Sequence, residues 1–338
     1  MQAAFLESAR VVAVHEIPRP EPAHGEVLIR ICSVGVCASD VHYYEHGRIG
    51  RYVVDAPLIL GHEPAGEVVE LGEGVTTLAV GDRVSIEPGV PCRRCMFCKT
   101  GRYNMCDDVV FMATPPVHGA FAEYVSHPAD FTYRVPDHVS LDQAALIEPL
   151  SVGIFAARRG HAGLGDRVAV LGGGPIGLMT LLALQSQGVR DVTVVDVEPF
   201  RLETALTLGA TDTVDARSED IGANRPDGFD LVFETAGHSV TIAQTTRLAC
   251  RGGRIVLVGL SATDATPIDT NEVVDKALNV AGVFRYANTW PLAVDLLARG
   301  IIDLAPLIST HMQLGSVGDA LEFASSQKDK CIKVMVTP

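Results

Sequence analysis

The 338-residue sequence predicts an α/β chain: a β-rich first part, then a doubly wound parallel sheet. Three observations carry that prediction. Over residues 1–150, short apolar or alternating runs are cut by Gly, Pro and Asp, the punctuation of short strands in a barrel-like domain. From Leu164 onward, apolar strands alternate with helical stretches, as they do in a parallel sheet with crossover helices. Between the first such strand and helix stand Gly172, Gly174 and Gly177, at G-x-G-x-x-G spacing.

In the first part, residues 27–31, 65–71 and Arg83–Ile86 read as strands. The stretch 167–188 then reads as a strand (168–171), a glycine turn and a helix ending at Gly188. Gly172 permits a tight turn, Gly174 lets the backbone approach a pyrophosphate, and Gly177 lets helix and strand pack closely. Pro175 and Ile176 open the helix, whose unpaired N–H groups favour phosphate. Nineteen residues after Gly177, the strand 192–195 ends in Asp196, where a carboxylate meets the adenosine ribose hydroxyls. That carboxylate repels the extra phosphate of NADP, so the predicted cofactor is NAD. Arg201 either lies along the adenine or is an exposed helix residue. The bland alternative, a glycine-rich connection followed by a capping Asp, leaves the register of strand, three glycines, helix, strand and acid without a reason.

Residues 200–208 read as a helix closed by Gly209, 229–233 as a strand, 240–249 as a helix, and 254–258 and 280–284 as strands. A helical stretch at 290–299 and a mixed tail follow, with the tail expected to return to the first domain. The predicted boundaries are 1–150 for the domain holding both metal sites, 151–284 for the nucleotide-binding domain and 285–338 for the return.

Composition sets limits on function. With 47% hydrophobic and 20% charged residues, the chain is an ordinary globular one. A net charge of −14 excludes nucleic acid and anionic membrane as partners, since both require a basic surface. No basic segment leads into an apolar run at the start and no stretch approaches a membrane span, so a cytoplasmic location is expected.

Eight cysteines, four of them clustered, suggest thiolates on a metal more than a disulfide frame. The cluster is Cys92, Cys95, Cys98 and Cys106, spaced C-x2-C-x2-C-x7-C. Four thiolates close a tetrahedron around zinc and leave no open position, which makes the metal structural. An iron–sulfur cluster also takes four cysteines, but the seven-residue gap fits neither ferredoxin spacing. A second, dispersed set is Cys37, His62, Glu63 and Glu148. Cys, His and carboxylate suit a catalytic zinc with an open position, yet spacing alone leaves open an ordinary His–Glu pair and a buried cysteine.

The stretches GVCASDVHYYEHGRIG, LGHEPAGEVVELGEGV, GDRVSIEPG, GRYNMC, HGAFAEYV, LIEPLSVG and VFRYANTW resemble those of the zinc-dependent medium-chain dehydrogenases, nearly end to end. Within that family they are most similar to the polyol branch, which holds the sorbitol and xylitol dehydrogenases. The resemblance implies a GroES-like catalytic domain, a Rossmann NAD-binding domain, one catalytic and one structural zinc, a homotetramer, and a sugar alcohol oxidised to a ketose. It implies Cys37, His62 and Glu63 as ligands of the catalytic zinc, with Glu148 binding directly or through water. Ser39 matches the hydroxyl that passes the substrate proton outward, and Asp40 the carboxylate that orients His62. Tyr43, Phe111, Arg285 and Tyr286 fall in segments that line the family's substrate site, with Glu148 beside them. Unlike the animal sorbitol dehydrogenases, this chain keeps all four lobe cysteines. Two further readings are a zinc dehydrogenase for threonine or a vicinal diol, and a non-catalytic nucleotide-binding relative.

Overall fold

Val27, Leu28 and Ile29 are all fully buried, so the strand Glu26–Gly35 is covered on both faces. In the computed structural model, which describes residues 1–223, 225–261 and 265–338, this strand is the centre of a seven-stranded sheet. The sheet runs in the order Thr132–Arg134, Arg83–Ile86, Glu63–Leu71, Glu26–Gly35, Lys333–Thr337 and Ile308–Gln313, with Tyr124–Pro128 also paired to Glu26–Gly35. Its pairs are antiparallel except the last, Ile308–Gln313 with Lys333–Thr337. Residues Met1–Glu148 and Trp290–Pro338 form this first unit, so the C-terminal strand lies within the sheet built by the N-terminal part. Gly35 stands opposite Glu63 on one side and Met335 on the other.

The second unit, Pro149–Thr289, carries six parallel strands in the order Asp212–Asp215, Asp191–Asp196, Arg167–Leu171, Phe229–Glu234, Ala249–Leu257 and Asn279–Gly282. Numbered within the unit, that order is 3-2-1-4-5-6, and the strand order reverses beside Arg167–Leu171. Ligands of such sheets bind at that reversal, outside the carboxyl ends of the strands.

Several elements escape a reading of the sequence, and three of them show why. The strand Asp212–Asp215 buries one apolar side chain, Val214, between charged ends, so it has no hydrophobic run to betray it. The helix Ala38–His46 buries Asp40, Tyr43 and Tyr44 and has no apolar stripe; its start is set by the Cys37 N–H donating to Asp40 Oδ2 at 3.0 Å. The helix Ile147–Arg159 begins within the apolar run that follows Leu141–Ala145, where periodicity does not mark a boundary. Among the described residues, no helix is long and apolar enough to cross a membrane.

The first unit holds a buried carboxyl with a measurable consequence. Glu87 is 1% exposed and accepts hydrogen bonds from Tyr103 Oη at 2.7 Å and Tyr133 Oη at 3.0 Å. Burial pushes its carboxyl up to about 7, against the pull of the two phenol donors. The unfolded chain releases this proton near 4.5, so the folded protein binds more protons between the two values and loses stability as pH rises through that window. The loss is on the order of 3 kcal/mol at full effect. Glu87→Gln therefore flattens the fall in Tm between pH 5 and pH 8; parallel curves for the two proteins contradict this.

Candidate active site and metal centres

Four thiols converge on one loop. Cys92 Sγ lies 3.9 Å from Cys98 Sγ, Cys95 Sγ lies 3.3 Å from Cys98 Sγ, and all four sulfurs fall within 4.8 Å of one another. A tetrahedral zinc thiolate site has sulfurs about 3.8 Å apart. Backbone N–H groups of Cys95, Cys98 and Cys92 point at the sulfurs of Cys92, Cys95 and Cys106, at 3.4, 3.5 and 3.4 Å. The N–H groups of Arg94 and Cys95 pull the Cys92 thiol down to about 6, whereas burial and the neighbouring thiols push Cys98 up to about 12. Four sulfurs this close cannot all ionise without a cation between them, and all eight cysteines are free of disulfides.

The second set is built from two elements of the first unit. Cys37 caps the helix Ala38–His46, and His62 and Glu63 sit where the chain enters the strand Glu63–Leu71. One donor atom from each of the three falls within 4.8 Å of the others, and His62 and Glu63 are buried. Asp40, fully buried, lies 3.3 Å from His62 Nδ1 and accepts the N–H groups of Gly61 and Cys37, both at 3.0 Å. Burial works to raise Asp40, but His62 and the two N–H donors outweigh it and hold the carboxyl below the usual range. Burial likewise pushes the His62 imidazole down, and Asp40 and Cys37 overcome it, so the site favours positive charge at that point. With Nδ1 engaged by Asp40, His62 Nε2 is left facing Ser39 Oγ at 3.5 Å.

Glu63 has a partner that sequence reasoning missed. Lys333 Nζ, 2% exposed at the residue level, lies 2.5 Å from both carboxylate oxygens of Glu63 and donates to Oε1. Oε2 accepts no well-aligned hydrogen bond among the described residues and is fully buried. The buried carboxylate carries one ammonium across both oxygens and still brings an oxygen within 4.8 Å of the Cys37 and His62 donors, which fits a metal ligand. Space around it is tight: a Cβ on Gly35 would stand 2.0 Å from Oε2. The signal in the sequence is Lys333 alone in the apolar run CIKVMV.

The remaining predicted residues are placed as follows. Glu148, 6% exposed in the first turn of Ile147–Arg159, is not among the donors that meet within 4.8 Å; its carboxylate is near enough to Lys333 to help hold that ammonium charged. The Phe111 ring centroid is 5.9 Å from that of His62. Tyr43 is 4% exposed and belongs to the core of the first unit. Arg285, at φ 53° beside Phe284, and Tyr286, 3% exposed, belong to the second unit.

In the second unit the glycine turn joins Arg167–Leu171 to the helix Pro175–Ser186, with Gly174 as N-cap. A Cβ on Gly177 would stand 1.8 Å from the Gly172 carbonyl oxygen, so no other residue fits there. Gly174, Pro175 and Ile176 are half-buried and stay accessible. Asp196 Oδ2 accepts the Gly173 N–H at 2.6 Å, and Oδ1 accepts those of Val197 and Glu198 at 2.7 and 2.9 Å. Arg201 Nη1 lies 3.8 Å from Asp196 Oδ2, and its buried Nε donates to no described residue. The guanidinium thus stands over the glycine turn, 3.6 Å from where a Gly174 Cβ would lie, with its side chain 17% exposed.

A parallel sheet with a phosphate turn at its reversal and two metal-ligand sets in one chain define a zinc- and dinucleotide-dependent oxidoreductase. The alcohol dehydrogenase GroES-like domain matches residues 23–137 and the zinc-binding dehydrogenase domain residues 175–299. Sorbitol dehydrogenase of Bacillus subtilis is 43% identical over 343 residues, spanning 100% of this chain and 97% of that protein. Sorbitol dehydrogenase of Gallus gallus is 42% identical over 341 residues, spanning 99% and 95%. Among solved structures, L-idonate 5-dehydrogenase from Escherichia coli superposes with a TM-score of 0.94 at 29% identity, covering 100% of this chain and 98% of that one. Galactitol-1-phosphate dehydrogenase from Escherichia coli gives 0.91 at 27% identity, covering both chains completely. The chain belongs to the zinc-binding alcohol dehydrogenase family.

Proposed function

We propose that this enzyme oxidises a secondary hydroxyl of a sugar alcohol to a ketone, with NAD as hydride acceptor. The observation that carries the reading is the convergence of Cys37, His62 and Glu63 in a chain 43% identical to a sorbitol dehydrogenase over its full length. Bound zinc supplies Lewis acidity that favours ionisation of the hydroxyl, and bound NAD takes the hydride. Cys37, His62 and Glu63 would hold the catalytic metal, and the four lobe cysteines would hold a structural one. Asp40 fixes the His62 tautomer so that Nε2 carries a lone pair. Ser39 Oγ accepts the substrate proton and passes it outward, with Glu148 as the second proton carrier. Tyr43 hydrogen-bonds the other hydroxyls, and Phe111, beside His62, presents apolar surface to the carbon chain. The N–H groups that open the helix Pro175–Ser186 receive the pyrophosphate. The test is NADH formation against sorbitol, xylitol, ribitol, galactitol, threonine and 2,3-butanediol. Turnover on the sugar alcohols supports the reading; turnover confined to threonine or butanediol overturns it.

Asp196 and Arg201 set the cofactor choice in this account. In wild type the carboxylate is held by three backbone N–H groups and faces the ribose hydroxyls. Asp196→Ala removes the charge that repels a 2′-phosphate and leaves those donors and Arg201 free to meet one. The ratio of kcat/KM for NAD over NADP falls by tenfold or more; an unchanged ratio removes Asp196 from the cofactor site.

The enzyme works in the cytoplasm as a homotetramer, in keeping with eight free thiols and an open sheet edge. Asn279–Gly282 ends the parallel sheet, with Val280 42% exposed and Phe284 just beyond it 48% exposed, an edge that a second copy would cover. Sedimentation equilibrium tests this, and a monomer at micromolar concentration contradicts it.

A further inference from the structure

We infer that Lys333 is a positioning residue for the catalytic metal, holding the Glu63 carboxylate beside Cys37 and His62. The inference rests on the reading of Cys37, His62 and Glu63 as the catalytic metal's ligands. Three contacts support it. Lys333 Nζ donates to Glu63 Oε1 and lies 2.5 Å from both carboxylate oxygens. It also donates to the Val36 carbonyl at 2.8 Å, one residue before Cys37, so one ammonium ties together the backbone that carries the thiol and the carboxylate. Gly35 closes the other side, because a Cβ there would meet Glu63 Oε2 at 2.0 Å. The lysine itself cannot drift: Lys333–Thr337 is paired to the strand Glu26–Gly35, and Val36 N–H donates to the Val334 carbonyl at 2.9 Å.

One buried ammonium thus bonds both the Glu63 carboxylate and the Val36 carbonyl beside Cys37, so its removal loosens two of the three donors at once.

The test replaces Lys333 in the full-length protein and reads metal binding as well as turnover. Lys333→Gln keeps a donor toward Val36 and Glu63 but no charge; Lys333→Arg keeps the charge. For Lys333→Gln we expect metal affinity at the catalytic site about 10–100-fold weaker, visible bands of the cobalt(II)-substituted site displaced, and kcat lowered more than KM is raised. Lys333→Arg returns affinity and bands most of the way to wild type. A folded Lys333→Gln protein with affinity within twofold and unchanged cobalt bands overturns the inference. If Lys333→Gln does not fold, the double variant Lys333→Gln/Glu63→Gln decides. A folded double variant that keeps the four-cysteine metal and lacks the other shows that Lys333 acts through Glu63. A double variant that also fails to fold shows a general structural role and overturns the inference. A wild-type protein holding one metal, on the four cysteines alone, would instead remove the ligand reading on which this rests.

Discussion

Replacing His62 with alanine abolishes turnover and leaves NADH binding intact. The imidazole is the one nitrogen donor in the set of Cys37, His62 and Glu63, and Asp40 holds it by Nδ1 so that Nε2 is presented. Loss of a ligand that secures a Lewis acid removes several kcal/mol of transition-state stabilisation, which corresponds to a fall in kcat/KM on the order of 10³ or more. The fold survives the change, because Asp40 still accepts N–H groups from Gly61 and Cys37 and is not left without donors. Nucleotide binding survives because the glycine turn, Asp196 and Arg201 belong to the other unit. Steady-state kinetics and NADH fluorescence titration on the same preparation check both halves. Turnover within tenfold of wild type would contradict the assignment of His62.

Cys95→Ser produces the second large effect, on stability instead of chemistry. The lobe has almost no apolar core of its own: the helix Met96–Lys99 buries nothing, and Met96 is 73% exposed. Its conformation therefore depends on the bound metal, whose binding free energy is folding free energy. With one thiolate gone, Tm falls by roughly 10 °C or more, given that about 1 kcal/mol shifts Tm by 2–4 °C in a chain of this size class. The zinc content falls from two to one per chain, and the remaining enzyme keeps its rate below the new Tm. A drop in activity at unchanged Tm would show that the division into structural and catalytic metals is wrong.

How much of this was legible in the sequence depended on how local each feature is. The glycine turn and the four-cysteine lobe are short-range patterns whose chemistry requires those residues at those spacings. The alternation of strand and helix after Leu164 announced the parallel sheet, but Asp212–Asp215, with one buried apolar residue, offered no run to detect. Cys37, His62, Glu63 and Glu148 are scattered over more than a hundred positions, and resemblance to a family supplied what spacing did not. The structure then brought three of the four within mutual reach. Lys333 was passed over altogether: its carboxylate partner is 270 residues away, and only the sheet pairing brings the two together. A lone lysine in an apolar strand is the signal that would have found it, because such a residue is buried only with a counter-charge.

The measurement that tests the central claim most directly follows NADH formation from a sugar alcohol while the catalytic metal is withdrawn and returned. A chelator matched to remove one of two zinc ions per chain should abolish activity without change in far-ultraviolet circular dichroism, and added zinc should restore it. Activity that persists once only the four-cysteine metal remains would contradict the account.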